Sequence, residues 1–289
     1  MQDFYSRCIP HFLRISDDKD FMRLQDKVGI VTGAGRGIGR GFALRLARLG
    51  CHVVIADIRL NGAADFGEVL TADSVEDEVK ALGRDALSFE GDLTQRSNAD
   101  ALVARTLERF GRIDLLVNNA GGAIAPIATS TATQMSEAEL RMMFDVNLMS
   151  TVHCSQAVAP TMREQRSGNI VNVASTMGLD AAHRGGLLAH YGMSKTAVVQ
   201  YTRFLALELG PHGIRVNCIA PGSTATARVV SQAKERGIVN DGDLPKIPLR
   251  RLATVEDMAG PLEFLATDLS SYVTGQTISV CGGKVMTPS

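Results

Sequence analysis

The stretch Ala189–Lys195, AHYGMSK, carries a phenol and an ammonium four residues apart. On a helix, positions i and i+4 share a face, so Tyr191 and Lys195 would point the same way. A phenol with an unperturbed pKa of about 10 is a poor base near neutrality, and a nearby cation favours its ionised form. Such a pair also occurs as an ordinary surface contact, and the spacing alone does not separate the two readings. Ser175 does. It ends the apolar run NIVNVAS, 16 residues before Tyr191, where its hydroxyl can hold a substrate oxygen near the phenol. The chemistry that uses such a set is proton transfer at an oxygen, matched to hydride transfer at the carbon that bears it.

A hydride needs a carrier, and the N-terminal part of the chain offers a place for one. The segment IVTGAGRGIGRGFALRLARLG joins an apolar run to a helical pattern. Glycine at Gly33, Gly37 and Gly39 lets the backbone turn tightly and approach a pyrophosphate, which the free N–H groups of the helix N-terminus attract. Asp57 ends the next run, VVIADI, 20 residues beyond Gly37. A carboxylate there accepts hydrogen bonds from the adenosine ribose hydroxyls and repels a 2′-phosphate, which favours NAD over NADP. Arg36, inside the glycine turn, and Arg59 are the opposing signal, since either could reach a 2′-phosphate. Close, partly desolvated like charges at Asp57 outweigh a flexible surface arginine.

These residues need elements that position them. Seven runs, KVGIVT, HVVIA, ALSF, DLLVNN, NIVNVAS, IRVNCIA and TISV, are nearly continuous in apolar residues, as parallel strands buried on both faces should be. Segments with helical spacing lie between them, such as Ile38, Phe42, Leu46 and Leu49, or Leu102, Val103, Thr106, Leu107 and Phe110. The alternation predicts an α/β fold: a single-domain, Rossmann-type doubly wound parallel sheet of about seven strands, with helices on both faces. Residues 22–289 form this domain, and residues 1–21 read as a poorly ordered N-terminal extension.

Two segments resist the regular pattern. One follows Asp57, from Asn61 to about Ser74. The other runs from Ala227 to Leu252, just past a strand end, within a predicted substrate lid spanning about 223–252. Pro261 falls inside an otherwise helical stretch beginning at a Thr254 cap, which predicts a kink or an early break. His183, Arg184 and His190 read as solvated loop residues, and Met142 and Met143 as core or subunit interface.

Composition narrows the class. The chain has 289 residues, a formal net charge of -1 and interspersed charges, so no basic field gathers nucleic acid. No apolar run approaches the roughly 20 residues of a membrane helix, so a protein that does not enter membranes is expected. The five cysteines, Cys8, Cys51, Cys154, Cys218 and Cys281, are odd in number and widely spaced. They suit buried thiols in a reducing cytoplasm rather than disulfides or a metal site.

Taken in order along the chain, TGAGRGIG (Thr32 to Gly39), GDL (Gly91 to Leu93), NNAG (Asn118 to Gly121), FDVN ending at Asn147, Ser175, YGMSK and PGSTAT (Pro221 to Thr226) resemble the short-chain dehydrogenase/reductase family. The resemblance covers the chain from about Leu24 to Gly283. It implies that Tyr191 is the acid/base, Lys195 its activator and a ligand of the nicotinamide ribose, and Ser175 the oxygen anchor. It also implies that Asn147 holds a water in a proton relay to Lys195. For the cofactor it implies a site of Gly33, Gly35, Arg36, Gly37, Ile38, Gly39, Asp57 and Ile58. Asp92 and Leu93 would meet the adenine. Asn119, Ala120 and Gly121 would lie beside the nucleotide, with Asn119, Thr32 and Asn118 serving largely to tie strands together. Pro221, Gly222, Thr224 and Thr226 would surround the nicotinamide, with Tyr191 and Lys195 opposite. The implied activity is NAD-dependent interconversion of a secondary alcohol and a ketone, by a homo-oligomer (dimer or tetramer) acting on a small-molecule substrate. An NADPH-dependent 3-oxoacyl thioester reductase and a non-catalytic nucleotide-binding regulator are the alternatives. The segment after Asp57 also resembles insertions in subfamilies that hold their nicotinamide tightly.

Overall fold

Seven short strands pair edge to edge in one wholly parallel sheet of order β3-β2-β1-β4-β5-β6-β7. They are β1 (Val28–Thr32), β2 (His52–Asp57), β3 (Ala86–Glu90), β4 (Leu115–Asn118), β5 (Gly168–Val173), β6 (Ile214–Pro221) and β7 (Thr277–Val280). Every run expected to be a strand is one. The computed structural model describes residues 24–181, 186–232 and 241–286. The expected N-terminal extension, together with Cys8, His183 and Arg184, lies outside the described residues.

The chain begins at β1 in the middle of the sheet, winds outward to β3, returns beside β1 as β4 and winds the other way to β7. The reversal between β1 and β4 leaves a crevice at their C-terminal ends, because the connections there diverge to opposite faces. β1 and β4 are buried at every position, as central strands covered on both sides must be.

One face is packed by α1 (Gly37–Arg48), α2 (Val75–Ala81) and α8 (Val255–Ala266), through Phe42, Leu46, Val79, Met258 and Leu262. The other is packed by α3 (Arg96–Phe110), α5 (Ser150–Gln165) and α6 (Ala189–Leu209), through Leu102, Val158, Met162, Leu205 and Leu209. Both sequence-read stripes therefore face the sheet, and Phe42 and Leu46 are wholly buried. Between α4 (Glu137–Phe144) and α5 the helix widens into a π turn, Asp145–Met149, in which the Ser150 N–H reaches the Asp145 carbonyl. Asn147 lies in that turn.

Helix α8 runs unbroken through Pro261, contrary to the expected break. A capping box of Thr254 and Asp257 fixes its start, and Met258, Ala259, Leu262 and Leu265 bury its inner face. That burial outweighs the one backbone bond that proline removes. Of the two irregular segments, the first forms a short 3-10 turn, Ala64–Phe66, before Ser74 caps α2. The second starts with α7 (Ala227–Ser231) and closes at its base through a bridge between Thr224 and Ala253.

Candidate active site

Helix α6 begins abruptly because its first turn is docked. Leu188 takes a left-handed conformation, φ +63°. Its N–H donates to Ser130 Oγ at 2.8 Å, and the Ala189 N–H donates to the Ser130 carbonyl at 2.9 Å. With the start fixed, the i, i+4 geometry turns Tyr191 and Lys195 toward a cavity of about 450 Å3 at the C-terminal ends of the strands. Ser175, just beyond β5, lines the same cavity, so the structure brings all three together.

Ser175 Oγ accepts the Met177 N–H at 3.2 Å, which fixes its rotamer, and it also hydrogen-bonds the Tyr191 side chain. Lys195 is 3% exposed, and its Nζ donates to the Val173 carbonyl at 2.8 Å. Burial raises the Tyr191 phenol above its ordinary pKa, opposed by the Ser175 bond and by the charge of Arg228. Burial also lowers the Lys195 ammonium to about 8. As pH rises, Lys195 thus loses its charge before Tyr191 gains one. The charge of Arg228, which the sequence did not single out, also bears on the phenol.

Asn147 does not line the cavity. It is fully buried, its Oδ1 accepts the Gly122 N–H at 2.8 Å, and its Nδ2 donates to the Met143 carbonyl at 2.9 Å. It thereby fixes the loop after β4 against the π turn. His190 is also buried rather than solvated, and its Nδ1 accepts the Tyr191 N–H at 2.7 Å. It lies about 100° around the helix from Tyr191, on the side facing the protein body.

The other end of the cavity is built by the glycine turn. Gly33 adopts φ +63°, and a Cβ at Gly39 would stand 2.0 Å from the Gly33 carbonyl oxygen, so α1 can start this close to β1 only with glycine there. Gly35 lies beneath the surface, donating its N–H to Asp57 Oδ2 at 2.9 Å, while the Arg59 N–H donates to Oδ1 at 3.1 Å. The Asp57 carboxylate is thus held fixed at the cavity wall. Both cations that could read a 2′-phosphate have partners, although Arg36 still lines the cavity. Arg36 stacks on Phe66 at 4.6 Å, and Arg59 pairs with Asp65 at 2.9 Å.

Gly33, Arg36, Gly37, Ile38, Gly39, Asp57, Ile58, Asp92 and Leu93 all line the cavity. So do Asn119, Ala120, Gly121, Pro221, Gly222, Thr224 and Thr226. Asn119 also has the structural role expected of it, donating from Nδ2 to the Thr32 and Gly33 carbonyls at 3.0 Å. Asn118 is buried away from the cavity, bonded to Ser155 and Asn172. Thr226 accepts the Val229 N–H and caps α7. Glycines where the chain must approach a ligand, a helix N-terminus and a fixed carboxylate at the far end fit a dinucleotide.

The sequence did not single out Arg228, Gln232, Lys284 or Glu68. The first three line the cavity from the segments after β6 and β7. Glu68 accepts the Gly37 N–H through both carboxylate oxygens, at 3.0 and 2.9 Å, and pairs with Arg40 at 3.1 Å. No local motif marks any of the four.

A family model described as Enoyl-(Acyl carrier protein) reductase matches residues 33–284, spanning the glycine turn, α6 and the segment after β6. The chain belongs to the short-chain dehydrogenase/reductase family. This short-chain dehydrogenase/reductase is 41% identical to cyclohexanol dehydrogenase of Rhodococcus sp. (strain TK6), over 91% of its own length and 98% of the relative's. It is 37% identical to 3-oxoacyl-[acyl-carrier-protein] reductase of Synechocystis sp. (strain ATCC 27184 / PCC 6803 / Kazusa), again over 91% and 98%. Among solved structures it resembles 7α-hydroxysteroid dehydrogenase complexed with NADH and 7-oxo glycochenodeoxycholic acid. The TM-score there is 0.80 at 32% identity, covering 93% of this chain and 98% of the other. The short-chain dehydrogenase/reductase is an alcohol/ketone oxidoreductase of a family that binds NAD(P). Among the described residues no group of three or more His, Cys, Asp or Glu could hold a metal ion, and no helix is long and apolar enough to cross a membrane.

Proposed function

We propose that the protein is an NAD-dependent dehydrogenase that interconverts a secondary alcohol and a ketone, with Tyr191 as the proton-transferring residue. One observation carries this: Ser175, Tyr191 and Lys195 share a cavity with a glycine turn and a fixed Asp57 carboxylate at its other end. The bound nicotinamide would accept or supply the hydride. In ketone reduction Tyr191 donates its proton to the substrate oxygen, which suits a phenol whose pKa burial has raised. In alcohol oxidation the proton moves the other way, and the phenolate then draws on positive charge around it. The Ser175 hydroxyl, oriented by the Met177 N–H, donates a hydrogen bond to the substrate oxygen. Lys195 supplies protons behind Tyr191, and Asn147 holds the relay's backbone in place.

Asp57 would hold the adenosine ribose, with Asp92 and Leu93 against the adenine and Thr226 at the nicotinamide end. A 2′-phosphate would meet a carboxylate anchored by two backbone N–H groups, while Arg59 is paired with Asp65 and Arg36, on the cavity wall, is stacked on Phe66. NAD is favoured for that reason. The segment at 223–232 lines the cavity beside Ser175 and Tyr191, as the near part of a lid would. The likeness to a 3-oxoacyl reductase supports a second reading, NADPH-dependent reduction of a 3-oxoacyl thioester.

The test is single-turnover NADH formation over a panel of secondary alcohols, with affinities for NADH and NADPH measured alongside. Tyr191→Phe should slow the chemical step about 100-fold or more while leaving NADH affinity within a few-fold of wild type. A rate near wild type would refute the assignment of Tyr191, and a clear NADPH preference would transfer the conclusion to the second reading.

A further inference from the structure

A second cavity, of about 310 Å3, lies behind the glycine turn, and Gly37, Arg40, Arg48, Glu68, Val255 and Glu256 are part of its lining. Gly37 lines both cavities, whereas Ile38 and Gly39 line only the first and Glu68 only the second. The turn is thus a thin wall between the dinucleotide site and an acid that the dehydrogenase reading does not use.

Glu68 reaches this wall from the irregular segment after β2. Its carboxylate accepts the Gly37 N–H through both oxygens, at 3.0 and 2.9 Å, with the side chain 14% exposed. That N–H is the first of the donors that α1 leaves without an acceptor inside the helix. Such donors, together with the partial positive charge of a helix N-terminus, are what hold a diphosphate. Two other N–H groups of the turn are already engaged, Gly35 with Asp57 Oδ2 and Arg40 with the Arg36 carbonyl. Glu68 therefore takes one of the remaining donors and sets a negative charge against the same helix end. Its counter-charge is shared: Arg40 donates from Nη1 to Glu68 at 3.1 Å, but from Nε and Nη2 to Glu78, at 2.7 and 2.6 Å. One guanidinium serving two carboxylates leaves the trio with a net negative charge.

We propose that Glu68 sets cofactor affinity by opposing the diphosphate. Its carboxylate stabilises the turn in the free protein and loosens the turn's hold on the bound dinucleotide. This rests on the dinucleotide site of the function proposed above and adds a residue to it. The opposite role for the same contacts is that of a prop, which keeps the turn in shape and strengthens binding. The sign of one substitution separates the two roles, because glutamine keeps an oxygen for the Gly37 N–H and removes the charge.

Binding to the full-length protein is read by calorimetry at low ionic strength with four ligands. NADH, NADPH and ADP-ribose carry the diphosphate, and adenosine does not. Glu68→Gln should bind NADH and ADP-ribose about 3- to 10-fold more tightly than wild type, the size of one charge acting at a helix end, with adenosine within about twofold. NADH should leave the variant more slowly by a similar factor in stopped flow. Without cofactor the variant should be slightly less stable in denaturant, so that affinity and stability move in opposite directions. Glu256→Gln is the control: this carboxylate lines the same cavity, but it is 66% exposed and pairs with Arg45 instead of the turn, so all affinities should stay within about twofold. Unchanged or weaker NADH binding by Glu68→Gln overturns the proposal and makes Glu68 a prop. So does an equal gain for adenosine, or an equal gain in Glu256→Gln. If NADPH is the dinucleotide bound and Glu68→Gln tightens it, the NAD preference falls and the role of Glu68 stands. If the variant tightens NADH while neither protein oxidises a secondary alcohol, the dehydrogenase reading alone fails. If no ligand binds any of the three proteins, the dinucleotide site and the role of Glu68 fall together.

Discussion

At the scale of single residues, Lys195 shows how burial sets chemistry. Its ammonium lies 3% exposed, with pKa lowered from 10.5 to about 8 by desolvation. Below pH 8 the folded protein carries this desolvated charge at a cost. Between about pH 8 and 10.5 the folded state has released a proton that the unfolded state still binds, so the cost is relieved as pH rises. In urea unfolding, wild type should therefore gain up to about 3 kcal/mol relative to Lys195→Met across that window, from about 1.4 kcal/mol per pKa unit. Stability curves that stay parallel from pH 7 to 10 would contradict the burial of a titrating Lys195. Tyr191, Lys195 and Ser175 were legible in the sequence because helical spacing and a strand end relate them locally. His190 was misread because its neighbours in sequence are cavity residues, whereas its own side of α6 faces the body of the protein. Arg228 and Lys284 were not legible at all. They reach the cavity from segments whose path over the strand ends no short-range pattern encodes.

Among elements, the glycine turn illustrates a motif completed from a distance. The residue before α1, Arg36, makes no side-chain cap. Glu68, from the irregular segment after β2, accepts the Gly37 N–H instead and pairs with Arg40, whose guanidinium also bonds Glu78 at 2.7 and 2.6 Å. A carboxylate at a helix N-terminus satisfies an orphan donor and complements the helix dipole. Glu68→Ala should lower unfolding free energy by about 1–2 kcal/mol, the cost of a lost helix cap, and Glu68→Gln by less than that because an acceptor remains. Equal stabilities in denaturant titrations of all three proteins would show that the cap is formed some other way. Helix α8 is the converse case. Proline at 261 predicts a local break, and tertiary burial of Met258, Leu262 and Leu265 overrules it.

For the whole molecule, the outer surface of α6 carries what a monomer would bury. Met193, Phe204 and Leu207 are 46%, 62% and 77% exposed on that helix, although its other sides pack on the sheet. Apolar side chains left out on a central helix suit a self-complementary contact between copies. A dimer or tetramer is the expected state in solution. Leu207→Glu should shift the mass measured by light scattering on a sizing column toward the monomer. A wild type that runs as a monomer at micromolar concentration would remove α6 from consideration as an interface.

The amino-acid sequence alone determined the doubly wound sheet, the glycine turn and the meeting of Ser175, Tyr191 and Lys195. Each is encoded by periodicity or spacing over a few residues, and an apolar run flanked by glycine has few other ways to fold. Only the tertiary structure decided which charges act on those groups. Burial separates the pKa values of Tyr191 and Lys195 in opposite directions, backbone N–H groups fix Asp57, and α7 carries Arg228 across to Ala123. The phenol in AHYGMSK was evident from its neighbours in sequence. One cation that lowers its pKa, Arg228, comes from 37 residues further along the chain, brought to the same cavity by the turn that follows β6.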